Sequence, residues 1–265
     1  MLPFTKYQGT GNDFVLVDQR DRTYLTRGDT ARIARLCDRR FGIGADGLIL
    51  LERHPDHDFE MVYFNADGRA SSLCGNGGRC VTHFAHALGL GGPDYRFLAS
   101  DGVHTARVRA DNWVELHMHD VTDIDADADR SVLDTGSPHY VTFVEDLDDI
   151  DVVENGQLIR YSAPYKAAGI NVNFVEPTDD EGLRILTYER GVEAETLSCG
   201  TGVTAAALAY ALRSATKKAE FQIPVQARGG QLIVRFRPRP GGGFTDIWLC
   251  GPATPVFTGE IALTE

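Results

Sequence analysis

The sequence predicts an α/β (α+β) fold made of two pseudo-symmetric halves that arose by duplication. Each half is expected to be a curved mixed or antiparallel sheet, or a barrel, around a central helix. Three observations lead there. Two Cys-Gly-x-Gly segments, at Cys74 and Cys199, stand nearly half of the 265-residue chain apart (199 − 74 = 125). Shorter segments repeat in the same order at close to the same offset. The runs that follow the two cysteines, Val81 to Leu90 and Val203 to Leu212, are apolar or small on nearly every face. Helices of that composition are buried all round, which places one at the centre of each half.

The elements follow in order. Asp13 to Asp18 (Asp-Phe-Val-Leu-Val-Asp) is echoed by His139 to Glu145, and both read as strands. After the first comes an amphipathic helix: Asp29 suits its N-cap, Ile33, Leu36, Cys37 and Phe41 share a face, and Gly42 suits the stop. Its counterpart spans Asp151 to Tyr161 and is less regular. The run Leu48 to Leu51 answers to Val172 to Val175, and Tyr63 to Gly68 answers to Thr187 to Gly191. A strand pair beginning at Gly102 ends in Trp113 to Leu116, and one beginning at Gly230 ends in Ile247 to Leu249. The acidic stretch Asp120 to Asp129 reads as the linker. The expected division is 1–118 and 119–256, with a tail at about 257–265 packing back on the first half.

Composition narrows the function. Hydrophobic residues make up 43% and charged residues 24%, ordinary for a globular protein with a packed core. A net charge of −12 argues against a nucleic-acid partner, which would need clustered Lys and Arg. No apolar run is long enough to span a membrane, and the opening residues lack the order of a signal peptide. Five cysteines, 37, 74, 80, 199 and 250, in such a chain imply free thiols in a reducing compartment, the cytoplasm. Only Cys74 and Cys80 are close in sequence, and no second pair completes a zinc site, so no metal is expected. Cys37, Cys80 and Cys250 read as core residues.

Cys74 and Cys199 read differently. A helix N-terminus offers unpaired N–H groups and partial positive charge, which bind an anion and favour a thiolate. The flanking glycines, Gly75 and Gly77, Gly200 and Gly202, let backbone approach a ligand closely. Two such termini, brought together in a cleft between the halves, would converge on one carboxylate with a thiol on either side. Inverting an amino-acid α-carbon needs that arrangement, because one group must remove a proton and another must return one to the opposite face. The preorganised amides would hold the charge that develops on the carboxylate.

The residues resemble the diaminopimelate epimerase family. The resemblance is carried by Gly9-Thr-Gly-Asn-Asp-Phe14, Phe64-Asn-Ala-Asp-Gly68, Cys74-Gly-Asn-Gly-Gly-Arg-Cys80, Tyr188-Glu-Arg-Gly191 and Leu197-Ser-Cys-Gly-Thr-Gly202. Gly42 to Gly47, Gly136 to His139, Gly169 to Val172 and Gly259 to Ile261 also fit in order, so it spans essentially the whole chain. It implies interconversion of LL- and meso-2,6-diaminopimelate, a step toward lysine and peptidoglycan precursors, by a homodimer using neither pyridoxal phosphate nor metal. It implies Cys74 and Cys199 as the catalytic pair, supported by His139 and Glu189. It implies substrate contacts from Asn12, Asn65, Gly75, Asn76, Asn171, Glu189, Arg190, Gly200 and Thr201.

From the residues alone, Glu189 and Arg190 read first as a surface ion pair, Asn12 and Asn65 as turn residues, and His139 as structural. Two positions depart from the family's pattern: Ser137 stands where many members carry Asn, and Gly47 where they carry Gln. The main alternative is a racemase or epimerase of another amino acid on the same scaffold, such as proline, hydroxyproline or histidine. A Cys–His hydrolase using Cys199 and His139 leaves the duplication unexplained. Two fused anion-binding modules give no reason for thiols at both sites.

Overall fold

A computed structural model describes residues 1–71, 73–214 and 218–263. In chain order the elements are β1 (Leu2–Gly9), β2 (Asn12–Asp18), α1 (Thr30–Cys37), β3 (Gly47–Glu52), β4 (Phe59–Asn65), α2 (Gly75–Ala87), β5 (Asp94–Ala99), β6 (Gly102–Val108) and β7 (Trp113–His117). Then come β8 (Ile124–Ala126), β9 (Arg130–Asp134), β10 (Pro138–Phe143), α3 (Val152–Arg160), β11 (Asn171–Pro177), β12 (Leu183–Glu189), β13 (Ala194–Thr196), α4 (Gly200–Arg213), β14 (Phe221–Ala227), β15 (Gly230–Pro238) and β16 (Phe244–Pro252). The last is β17 (Thr254–Ile261). Two compact units result: Met1–Leu116 with Gly251–Glu265, and His117–Cys250. The sequence-based boundaries fall at 118/119 and 256/257.

Strand pairing reveals the duplication directly. In the first unit β1 pairs antiparallel with β2, β2 parallel with β3, β3 antiparallel with β4, β4 parallel with β5, and β5 antiparallel with β6, which pairs antiparallel with β7. In the second unit β9, β10, β11, β12, β14, β15 and β16 repeat the same order and the same directions. Each parallel pair is bridged by a helix, α1 and α2 in one unit and α3 and α4 in the other, as a parallel crossover requires. An extra antiparallel strand flanks each unit, β17 beside β1 and β8 beside β9. The alternation of parallel and antiparallel pairs makes this a mixed α+β architecture of two similar halves.

α2 touches β1, β2, β3, β4 and β6, while α4 touches β9, β10, β11, β12, β14 and β15, so each sheet curves around one helix. The outer faces carry α1 and α3. Val15 and Val17 of β2 point to α1 and join Ile33, Leu36 and Cys37 in one buried cluster. Phe14 points inward to α2, where it would lie 3.5 Å from a Cβ added at Gly77. β2 is thus buried on both faces, which explains its unbroken apolar run. Val172, Phe174, Leu186 and Tyr188 do the same under α3 with Val152.

Several local expectations are corrected. The helices start earlier than Val81 and Val203, at Gly75 and Gly200 with the cysteines as N-caps, and α2 ends at Ala87 rather than Leu90. α1 ends at Cys37, and Phe41 is 67% exposed rather than on its buried face. The cause is Asp38, whose Oδ1 accepts from the amides of Arg40 and Phe41, both at 2.7 Å, and so turns the backbone out of the helix. Asp29 sits at the N-cap position, but its carboxylate accepts from Thr26 and not from the helix amides. The acidic stretch is not all linker, since Ile124–Ala126 forms β8.

Candidate active site

Both cysteines cap a helix in the same backbone conformation. Cys74 has φ −99° and ψ 125°, Cys199 has φ −111° and ψ 110°, and neither side chain caps its own helix. The first intrahelical bonds run from Gly78 N–H to the Cys74 carbonyl (2.7 Å) and from Val203 N–H to the Cys199 carbonyl (2.9 Å). The amides of residues 75–77 and 200–202 therefore precede the helical ladder and face the mouth of each helix. Cys74 and Cys199 are partly exposed, whereas Cys37, Cys80 and Cys250 are buried. Burial pushes the thiols of Cys37 and Cys80 up to about 12, which makes them inert.

Around Cys74 the first unit supplies amides and a guanidinium. The β1–β2 hairpin turns through Thr10 (φ 51°) and Gly11 (φ 86°), two successive left-handed residues that make a tight two-residue loop. That turn delivers Asn12, whose Oδ1 accepts from Cys74 Sγ (3.5 Å) and from Asn76 Nδ2 (3.4 Å). Asp46 fixes Asn12 from behind, accepting from its Nδ2 at 2.7 Å. Asp46 and Asp13 are themselves held by Arg39, and Asp13 by Lys6. Burial opposes ionisation of Asp13, but the hydrogen bonds from Arg39 and Lys6 prevail and hold its carboxyl well below the usual range. Arg79, fully buried in α2, donates to the Gly75 carbonyl (3.2 Å), Asn76 Oδ1 (3.0 Å) and Thr10 Oγ1 (3.2 Å). Its guanidinium thus braces the first turn of the helix that carries Cys74.

Around Cys199 the second unit supplies a hydroxyl and an imidazole. Thr201 Oγ1 lies 3.4 Å from Cys199 Sγ and 2.9 Å from His139 Nε2. His139 is wholly buried, which pushes its pKa down to about 3, reinforced by the nearby Arg190 charge. It is a neutral imidazole at neutral pH. Its other nitrogen, Nδ1, faces Asn173 Nδ2 at 3.1 Å. Thr135 Oγ1 donates to the Thr201 carbonyl at 2.8 Å, and this pins the first turn of α4.

The remaining sequence candidates divide. Asn171 is buried and its amide is engaged within the unit, donating to Ser137 Oγ and to the Pro138 carbonyl and accepting from Arg190 N–H. Ser137 also accepts from Arg190 Nη2 (3.3 Å), while Nη1 donates to the Ala168 carbonyl (3.2 Å), so the exposed guanidinium is held in one orientation. Glu189 is half-buried at the end of β12, and Asn65 is exposed at the end of β4. Gly47 has no room for a side chain: a Cβ would lie 2.5 Å from the Phe64 carbonyl and 2.6 Å from the Tyr63 ring. Sequence reasoning missed Asp46, Arg79 and Asn173. The two Asn of Asn-Val-Asn-Phe in β11 sit on one strand face, and that alternation was the available signal for Asn173.

A family model described as diaminopimelate epimerase matches residues 4–123 and 131–239. The diaminopimelate epimerase of Flavobacterium psychrophilum is 47% identical over 256 residues, covering 97% of this chain and 98% of that one. That of Chlorobaculum tepidum is 42% identical over 264 residues, with 96% and 99% covered. Among solved structures, a phenazine biosynthesis protein of the PhzF family from Bacillus anthracis superposes with a TM-score of 0.78 at 15% identity, covering 98% and 99% of the two chains. A probable proline racemase from Agrobacterium radiobacter gives 0.68 at 15% identity, covering 100% and 94%.

Proposed function

The chain belongs to the diaminopimelate epimerase family, and we propose that it interconverts LL- and meso-2,6-diaminopimelate by a two-base reaction of Cys74 and Cys199. One cysteine, as thiolate, takes the proton from the substrate α-carbon. The other, as thiol, delivers its proton to the opposite face, and the roles exchange when the reaction runs backward. The amides at the two helix mouths hold the α-carboxylate and stabilise the charge that develops on it. Carbanion stabilisation is thereby assigned to the chain's own dipoles, with no organic cofactor or metal in the scheme.

The observation that carries this reading is the repeated one: two helices that begin on a partly exposed cysteine in the same extended conformation, with glycine-rich first turns. The substrate contacts are assigned accordingly. Gly75, Asn76, Gly200 and Thr201 hold the reacting end together with Asn12, a reading supported by the hydrogen bond of Asn12 to Cys74. Arg190, oriented by Ser137 and the Ala168 carbonyl, forks onto the distal carboxylate, and Glu189 receives the distal ammonium. Asn65 and Asn171 complete that end. Among the described residues no helix is long and apolar enough to cross a membrane. The free thiols that the reaction requires suit the reducing cytoplasm, and the family resemblance suggests a homodimer.

The test is solvent isotope exchange. In deuterium oxide, LL-diaminopimelate should gain deuterium at one α-carbon as the meso form accumulates, while proline, hydroxyproline and histidine stay unlabelled. Exchange into proline and none into diaminopimelate would favour the racemase alternative on this scaffold.

A further inference from the structure

The hydrogen bonds of Asn173 determine which nitrogen of His139 carries the proton. Asn173 is fully buried in β11. Its Nδ2 lies 3.0 Å from the Tyr140 carbonyl, which can only accept, so the amide nitrogen must be the atom on that side. Its Oδ1 accepts from the hydroxyl of Thr187, the residue directly opposite on β12, at 3.0 Å. The amide is therefore held from both ends. The same Nδ2 reaches His139 Nδ1 at 3.1 Å as a donor, and a donor there requires Nδ1 to be the bare, accepting nitrogen. A neutral imidazole with a bare Nδ1 carries its proton on Nε2.

The consequence runs on to the sulfur. Nε2–H donates to Thr201 Oγ1, so the hydroxyl's own proton is left for its other side-chain neighbour, Cys199 Sγ. Gly202 lets this chain close up, since a Cβ there would come within 2.5 Å of Asn173 Oδ1 and 3.3 Å of His139 Cε1. We propose that Asn173 is a positioning residue that locks His139 in its Nε2–H form, so that Thr201 turns a hydrogen-bond donor toward Cys199 and stabilises its thiolate. The proposal deepens the reading of Cys199 as an acid/base group and rests on it. His139 thus acts through Thr201 as a fixed dipole and keeps its proton throughout. The positive charge of Arg190 acts on it and favours the same neutral state.

The test reads the proton and then the sulfur. With histidine labelled by nitrogen-15, and His139 assigned by its loss in His139→Gln, long-range proton–nitrogen correlation at neutral pH should show a protonated Nε2 and a bare Nδ1. An Nδ1–H form or an imidazolium overturns the proposal. Iodoacetamide labelling resolved by peptide mass spectrometry then follows the thiolate. In Asn173→Leu, Cys199 should react about three- to tenfold more slowly, the scale of one hydrogen bond, while Cys74 keeps its rate. If that variant unfolds, buried Cys37 and Cys250 will label too. Thr201→Val then supplies the same reading, with Thr201→Ser restoring the rate. An unchanged Cys199 rate in Thr201→Val overturns the proposal. If diaminopimelate shows no exchange while the Nε2–H form and the selective slowing hold, the substrate reading fails and this assignment stands.

Discussion

The two cysteine centres share a backbone conformation and differ in the side chains that face the sulfur. Both helices start on an extended cysteine and close their first bond four residues on. Yet Cys74 faces the amide of Asn12, in a helix turn braced by the cation of Arg79, whereas Cys199 faces a hydroxyl backed by a neutral histidine. Position 204, which follows Cys199 as Arg79 follows Cys74, holds a buried threonine. Duplication has preserved what backbone amides do and has left side chains free to diverge. A two-base reaction benefits from that divergence, because at any moment one sulfur must be a thiolate and the other a thiol.

The harshest way to break the comparison is to remove the sulfurs singly. Cys74→Ala and Cys199→Ala should each cut epimerisation by about 10²–10⁴-fold, the scale of a lost acid or base, with circular dichroism unchanged. Near-normal turnover in either variant would make the centres unequal in kind and end the two-base scheme.

The arginines sharpen it. Arg79→Met removes the charge-assisted hydrogen bonds to the Gly75 carbonyl, Asn76 and Thr10 in a fully buried place. It should destabilise the fold by about 2–3 kcal/mol, read as a lower urea midpoint at constant slope. An unchanged midpoint would deny that the guanidinium braces the helix start. Arg190→Lys leaves an exposed charge and should leave the midpoint alone, yet raise KM for diaminopimelate by the equivalent of about 1.5–3 kcal/mol, because lysine cannot fork onto a carboxylate. An unaltered KM would place Arg190 outside substrate recognition.

Counted per pH unit, the smallest expected effect is a slope. His139 takes a proton near pH 3 when folded and near 6.5 when free, so between those values unfolding binds a proton. Its contribution is complete above pH 6.5 and is lost as pH falls toward 3, at up to about 1.4 kcal/mol per pH unit. His139→Gln should flatten the stability profile in that window. A profile of identical slope would mean that the imidazole is not held neutral by burial.

Much of this was legible in the sequence, for identifiable reasons. The duplication could be read because the strand order is short-range and each strand carries its own apolar pattern. The helix starts could be read because Cys-Gly-x-Gly is rare and occurs twice. Phe41 was misplaced because periodicity continues past Cys37, while the Asp38 side chain, which no periodicity reports, diverts the backbone. Asn173 and Asp46 were missed because each touches a residue more than thirty positions away, His139 or Asn12, and strand pairing alone brings them together.

The strand β17 carries a consequence for how the chain matures on the ribosome. Leu2 of β1 pairs with Ile261 of β17, so the first unit cannot complete its sheet until the segment after Cys250 has been made. The second unit, His117–Cys250, is a single continuous stretch and can close as soon as it emerges. Through most of translation β1 therefore waits with one edge unpaired, the condition in which strands recruit foreign partners. Released chains truncated after Pro252 should be protease-sensitive in the first unit and resistant in the second, an inversion of the usual order in which the N-terminal part matures first.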